Sequence, residues 1–119
     1  TCFKWGLFDR EPLARWSVGR ATLLGDAAHA MLPFLGQGAA MGIEDAVVLA
    51  RALADHADVE TALQRYEDAR RERTAFVLQQ SRIVPTRFHA SCTDAYGPAD
   101  HRTEEALGLF AYDPVTVGI

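Results

Sequence analysis

The chain has 119 residues, of which 49% are hydrophobic and 24% are charged, a composition typical of one soluble globular domain with a real core. Its formal net charge of -4 provides no basic field, which argues against binding to nucleic acid or to an anionic membrane surface. No apolar run approaches the roughly 18 residues of a membrane span, and Cys2 and Cys92 suit a reducing cytoplasm better than a disulfide scaffold.

Two strands are predicted before residue 25. Residues 2–8, CFKWGLF, are rich in aromatic side chains and predict a strand, which ends before Pro12 because proline removes a donor from the hydrogen-bond ladder. Residues 20–24 predict a second strand. Because its side chains are almost all apolar, we expect that strand to be buried on both faces.

A loop over residues 27–36 leads into two predicted helices. The first spans residues 38–54, with an apolar stripe formed by Ala40, Ile43, Val47, Ala50 and Ala54. A second stripe of small side chains would let another element approach closely; it consists of Gly38, Gly42 and Ala46.

Asp58 is a predicted N-cap for the second helix, over residues 59–84, which we expect Pro85 to end. Its packed side is expected to carry Ala62, Tyr66, Ala69, Phe76 and Val77. In the remaining tail the only predicted element is a short helix over residues 103–110.

Two other groups of polar residues give only weak indications of a functional site. The basic run Arg70, Arg71 and Arg73 alternates with acidic residues, and Glu67 and Arg71 stand four positions apart, so a solvated helix face is predicted. The spacing of His89, Cys92 and His101 fits no usual zinc arrangement, and no metal site is predicted.

A carboxylate stands just after the second predicted strand. Ligands of open α/β sheets bind at the carboxyl ends of strands, so Asp26 could accept hydrogen bonds from the sugar hydroxyls of a cofactor. The alternative is an ordinary turn or N-cap aspartate. His29, three positions later, is either a base or a structural residue.

The segment GQGAA, residues 36–40, opens the first helix and leaves several backbone N–H groups bare. With the helix dipole they could bind a phosphate or the pyrimidine edge of a reduced flavin. The alternative is that glycine only permits tight helix packing. As a dinucleotide fingerprint the segment fails, because its third glycine is one place late and no strand immediately precedes it.

The whole stretch GRATLLGDAAHAMLPFLGQGAAMGIEDAVVLARAL resembles the second flavin-binding motif of class A FAD-dependent aromatic monooxygenases, such as salicylate hydroxylase and 3-hydroxybenzoate 6-hydroxylase. The matching positions are Gly25 to His29, Pro33, Gly36 to Gly38 and Glu44 to Ala46. The resemblance extends over residues 3–84, and LFAYD near the end is similar to the family's aromatic-Tyr-Asp tail. In that pattern His29 has no obvious catalytic duty, so we interpret it as structural.

The resemblance implies an α/β fold class. The chain is expected to be the C-terminal fragment of a Rossmann-like FAD/NAD(P)-binding fold, mainly helical, with one or two short strands. Residues 1–84 would form the C-terminal part of the FAD-binding domain, and residues 85–119 a tail with a short helix.

The same resemblance implies hydroxylation of a small aromatic acid with FAD, NAD(P)H and dioxygen. Asp26 would bind the ribityl chain, the N–H groups near Gly38, Ala39 and Ala40 would face the flavin pyrimidine, and Phe34 would lie near the substrate pocket. The complete set of expected cofactor-binding residues is Gly25, Asp26, Pro33, Gly36, Gln37, Gly38, Ala39 and Ala40, with Pro33 also expected near the substrate. No catalytic side chain is expected in this chain.

The family's N-terminal glycine-rich fingerprint and its Asp-Gly motif do not occur here, and the chain begins with Thr1. We therefore expect a fragment that is inactive by itself and binds FAD weakly or not at all. One alternative is a non-enzymatic helical module that self-associates, for example as a homodimer, through faces normally covered by other parts of the fold. Another is the same fold with a different reaction, such as epoxidation of a polyprenoid or hydroxylation of kynurenine.

Overall fold

A computed structural model describes residues 1–88 and 104–119 of the chain, and two long helices packed against each other occupy its centre. The strands are β1, Ser17–Val18, and β2, Ala21–Thr22. The α-helices are α1, Asp26–His29; α2, Gly38–Asp55; and α3, Val59–Phe88. Two short 3-10 helices cover Pro33–Leu35 and Leu109–Ala111.

The two strands form a small antiparallel hairpin in which Ser17 pairs with Thr22 and Val18 pairs with Ala21. The hairpin is tied to α3, because the backbone N–H of Ser17 donates to the buried Glu67 carboxylate at 2.8 Å. The predicted second strand is therefore present but shorter than residues 20–24. Its expected burial on both faces is wrong in this structure, since Ala21 is exposed.

The strand predicted over residues 2–8 is wrong: that segment has no regular structure. Its large side chains face solvent, with Trp5 83% and Phe8 85% exposed. A strand is stable only beside another strand that accepts and donates its backbone hydrogen bonds, and within the described residues no strand lies beside this segment.

Helix α2 confirms the predicted element, one residue longer at its end, but not the predicted packed stripe. The buried side chains of α2 are Met41, Asp45, Val48 and Ala52, whereas Ile43 is 67% exposed. The buried face of α2 is therefore rotated from the predicted apolar stripe, and it includes a charged residue, Asp45.

Helix α3 begins as predicted, with the Asp58 carboxylate accepting the backbone N–H of Thr61 at 2.8 Å. It does not end at residue 84 but continues through Pro85 to Phe88, so the missing donor and the bulky ring of the proline do not end the helix here. Tyr66 is fully buried as expected, whereas Phe76 is 40% exposed.

Two hydrophobic clusters hold the helices together. The larger joins the hairpin, α1, α2 and α3 through the buried residues Trp16, Ala28, Val48, Ala52, Ala62 and Tyr66. The smaller joins α2, α3 and the tail through Met41, Val77 and Leu109. The loop predicted over residues 27–36 thus contains part of α1 and a 3-10 helix.

The tail lies partly outside the described residues. Instead of a helix over residues 103–110, residues 104–108 form turns and a 3-10 helix follows. His89, Cys92 and His101 lie outside the described residues. Within residues 1–88 and 104–119, no cluster of His, Cys, Asp and Glu side chains could hold a metal ion. None of the helices described there has the length and apolar character needed to cross a membrane.

Candidate cofactor-binding site

The N-terminus of α2 borders an open hollow of about 510 Å³. Three segments surround it: the turn that leads into α1, the segment around the first 3-10 helix, and the first turns of α2. The lining residues are Gly25, Asp26, Met31, Leu32, Pro33, Gly36, Gly38, Ala39 and Gly42.

Most residues predicted to bind a cofactor meet at this hollow, but two do not. Gln37 lies outside the lining, and Ala40 packs instead against the cluster of Met41, Val77 and Leu109. Phe34, predicted near a substrate, is 37% exposed and also lies outside the lining.

The structure adds three lining residues that the sequence interpretation did not assign to the site, namely Met31, Leu32 and Gly42. Gly42 could have been found, because it shares a stripe of small residues with Gly38. Met31 and Leu32 carry no such signal, since an apolar residue in a loop is equally suited to core packing.

Backbone N–H groups at the start of α2 are free to act as donors. The first bond of the helix runs from the N–H of Met41 to the carbonyl of Gln37 at 2.9 Å, and no side chain caps the helix. The N–H groups of Gly38, Ala39 and Ala40 precede this bond and therefore have no acceptor within the helix. Together with the helix dipole they favour an electron-rich group at this end of the hollow.

Glycine is required at two corners of the hollow. Gly25 has φ +59° and Gly36 has φ +64°, a conformation that other residues rarely adopt. A Cβ atom built on Gly42 would lie 3.9 Å from the Cα atom of Gly25, so α2 and the turn approach each other closely. At these glycines the wall of the hollow is formed by backbone atoms without side chains.

Asp45 anchors the turn to α2 from the protein interior. Its Oδ2 atom accepts the N–H of Gly25 at 3.0 Å and lies 2.6 Å from Nε2 of His29, while its Oδ1 atom accepts Nε of Arg70 at 2.7 Å. Burial alone would raise the pKa of Asp45, but the hydrogen bonds from His29, Arg70 and Gly25 hold it below the usual value. Because a carboxylate only accepts hydrogen bonds, Nε2 of His29 carries a proton.

The basic run of α3 is not the solvated face that was predicted. Arg70 is fully buried, with one terminal nitrogen 2.7 Å from the Glu44 carboxylate. Arg73 donates two hydrogen bonds of 2.7 Å to the same carboxylate, and its guanidinium lies 4.0 Å from the centre of the Tyr112 ring. Arg70 is buried and Arg73 partly buried because the face of α2 that packs against α3 carries the acidic pair Glu44 and Asp45.

The predicted pair of Glu67 and Arg71 is present, with a nitrogen-to-oxygen distance of 3.4 Å. Arg71 is the half-exposed member of the basic run. Glu67 is buried, and the hairpin N–H that it accepts partly offsets the cost of removing its carboxylate from water.

The structure thus places the exposed Asp26, the N–H groups of Gly38 and Ala39 at the start of α2, and a glycine-lined wall around one hollow. Comparison with known proteins identifies the family that this chain matches. Residues 5–81 match the family described as FAD binding domain.

Two relatives show the same likeness. The chain is 49% identical over 90 residues to a phenazine 1,6-dicarboxylic acid hydroxylase of Lysobacter antibioticus, which is 76% of this chain and 22% of that protein. It is 53% identical over 81 residues to 3-hydroxybenzoate 6-hydroxylase 1 of Aquipseudomonas alcaligenes, which is 68% of this chain and 21% of that protein. The chain therefore spans about a fifth of the length of these relatives.

A solved structure agrees with the sequence relatives. The salicylate hydroxylase substrate complex superposes with a TM-score of 0.74 and 34% identity, covering 92% of this chain and 29% of that one. The chain belongs to the FAD binding domain family.

Proposed function

We propose that this chain forms one wall of the FAD site in a monooxygenase that hydroxylates a small aromatic acid with NAD(P)H and dioxygen. The observation that supports this proposal is that the exposed Asp26 and the first two residues of α2, Gly38 and Ala39, border the same hollow. The names of the relatives support the reaction class, since both are hydroxylases of aromatic acids. In this proposal residues 1–84 are the C-terminal part of the FAD-binding domain, and residues 85–119 are the tail.

The residues present fit an FAD molecule at two points. The exposed Asp26 carboxylate suits the hydroxyl groups of a ribityl chain, which are donors. The N–H groups of Gly38, Ala39 and Ala40 suit the carbonyl oxygens of the flavin pyrimidine, and the helix dipole stabilises negative charge there. Bound FAD would supply the redox chemistry, taking a hydride from NAD(P)H and activating dioxygen.

The chain's own residues bind and shield the ring system. Bare backbone at Gly38 and Gly42 gives a flat aromatic group close access to the first turns of α2. Met31 and Leu32 provide apolar walls that exclude water from one side. Pro33 and Phe34 are proposed to lie next to the aromatic substrate.

The experiment that tests the site replaces Asp26 with alanine in the complete protein that carries this segment. We expect the FAD dissociation constant to rise by about tenfold to a hundredfold, because a hydrogen bond to a charged group contributes about 1.5–3 kcal/mol. Flavin fluorescence during titration of the apoprotein measures that constant.

The matched control for this experiment is Asp55→Ala, which removes an exposed aspartate at the opposite end of α2 and should leave FAD binding unchanged. A wild-type protein that binds no FAD would refute the proposed function. An Asp26→Ala protein with wild-type affinity would refute the assignment of this carboxylate.

For the isolated chain of 119 residues we expect no turnover. The hollow is open to solvent, so water would reach a flavin bound there. NAD(P)H consumption in the presence of FAD and an aromatic acid measures this directly. Substrate-dependent turnover by the isolated chain would show that the site is complete without further protein.

A self-associating module is the second candidate, favoured by the exposed aromatic side chains of the N-terminal segment. The comparisons favour the enzyme. We keep the homodimer as a proposal for the isolated chain, together with a cytoplasmic location, and sedimentation of the sample used for the turnover assay measures its mass.

A further inference from the structure

Arg10 reaches the proposed FAD site from outside the flavin motif. Its terminal nitrogen Nη2 donates to the backbone carbonyl of Asp26 at 2.9 Å and to that of Ala27 at 2.7 Å. These two residues open the four-residue helix α1, which is too short to provide its own carbonyls with helical partners. Arg10 therefore caps the backbone on which the Asp26 carboxylate is carried.

The position of Arg10 is set by its neighbours in the chain. Asp9 and Glu11 both form ion pairs with Arg82 of α3, so the segment on either side of Arg10 is attached to the long helix. Because Asp9 and Glu11 pair with Arg82, the guanidinium of Arg10 remains available to the carbonyls of α1.

The turn that carries Asp26 is thereby held on two sides. Asp45 accepts the N–H of Gly25 from the interior, and Arg10 donates to the carbonyls of Asp26 and Ala27 from the solvent side. A carboxylate on so short an element depends on such contacts for its orientation, since four residues do not form a stable helix by themselves.

We propose that Arg10 is a positioning residue of the FAD site, which fixes the backbone of Asp26 so that its carboxylate faces the hollow. This inference rests on the proposed function. Arg10 does not line the hollow, so it acts through Asp26 and not by contact with the cofactor.

The test measures FAD affinity and thermal stability of Arg10→Gln in the complete protein. We expect the FAD dissociation constant to rise by about fivefold to twentyfold, because two charge-assisted hydrogen bonds are lost. The melting temperature of the apoprotein should stay within about 2 °C of wild type, because exposed side chains contribute little to global stability. Arg10→Lys keeps a cationic donor and should restore part of the affinity, whereas the control Arg15→Gln removes another exposed arginine and should change neither value.

A double-mutant cycle with Asp26→Ala identifies the route of the effect. If Arg10 acts through Asp26, adding Arg10→Gln to Asp26→Ala raises the dissociation constant no further. An additive rise in the double variant would overturn the inference. Unchanged affinity in Arg10→Gln, in a protein whose FAD binding does depend on Asp26, would overturn the inference alone. Absence of FAD binding in the wild type would overturn the proposed function with it.

Discussion

An Asp45→Ala variant is expected to lose about 3–5 kcal/mol of its free energy of unfolding, because removing one partner of a buried ion pair leaves the other uncompensated. Arg70 would lose the Oδ1 acceptor, which is one of its two carboxylate partners, and retain its contacts with Glu44 and with the backbone carbonyl of Met41. The N–H of Gly25 and Nε2 of His29 would lose their shared acceptor at the same time.

Chemical denaturation of the wild type and Asp45→Ala measures the loss. The matched control is Asp55→Ala, which removes an exposed aspartate from the same helix and should change the free energy of unfolding by less than about 0.5 kcal/mol. A loss below about 1 kcal/mol in Asp45→Ala would mean that the buried arginine finds another partner.

The same variant has a pH signature. Since hydrogen bonds hold the pKa of Asp45 below its usual value in the folded state, its contribution to stability is fully present above the unfolded pKa of about 3.9. That contribution is lost as the pH falls through the lower folded pKa. Between pH 5 and pH 2 the wild type should therefore lose more stability than Asp45→Ala, and equal losses would contradict the argument.

The sequence predicted the parts of this fold that depend on neighbours in the chain. Helix α2 and the N-cap at Asp58 were correct, because capping residues and helical periodicity act over a few positions. The glycine-rich start of α2 was predicted for the same reason, since bare N–H groups follow from the local sequence GQGAA alone.

The parts that depend on distant residues were not predicted. The buried face of α2 and the burial of Arg70 arise together, because acidic side chains of α2 meet basic side chains of α3 across 25 positions or more. Periodicity assigns charged residues to the solvent side, and it has no means of recognising a buried ion-pair cluster. The strand at residues 2–8 failed likewise, since strand formation requires a neighbouring strand.

The residues of the candidate site also divide into those that the local sequence predicted and those that depend on distant parts of the chain. Gly36 and Gly38 were predicted from their positions at the helix start and Gly25 from the family resemblance, and the structure brings all three to one hollow. The residues that hold this hollow in shape, Asp45 and Arg10, are separated from Gly25 and Asp26 by 20 and 16 positions. No spacing rule connects them, so only the folded chain reveals their role.

A second large effect is expected at Tyr66, which lies at the centre of the larger hydrophobic cluster. Tyr66 is fully buried, its ring lies 5.8 Å from that of Trp16, and its hydroxyl donates to the carbonyl of Leu23 at 3.1 Å. Burial raises the pKa of Tyr66 well above its ordinary value, so the hydroxyl remains a donor at all working pH values. Tyr66→Ala should cost about 3–5 kcal/mol of the free energy of unfolding, as for other large aromatic deletions.

Tyr66→Phe keeps the packed ring and removes only the hydroxyl that donates to Leu23. It should therefore lower the free energy of unfolding by only about 1 kcal/mol. Phe110→Ala is the control for aromatic truncation on the surface, since Phe110 is 74% exposed. Denaturation with urea compares the three variants. Similar losses for Tyr66→Ala and Phe110→Ala would contradict a central role for Tyr66.

Tyr66 also links the core to the proposed site, because the carbonyl that it binds belongs to Leu23, two residues before Gly25. The hydrogen bond fixes the end of the hairpin from which the turn with Asp26 emerges. Tyr66→Phe should therefore weaken FAD binding in the complete protein by a few fold, although it costs much less stability than Tyr66→Ala. An unchanged FAD affinity in Tyr66→Phe would mean that Asp45 and Arg10 suffice to hold the turn in place.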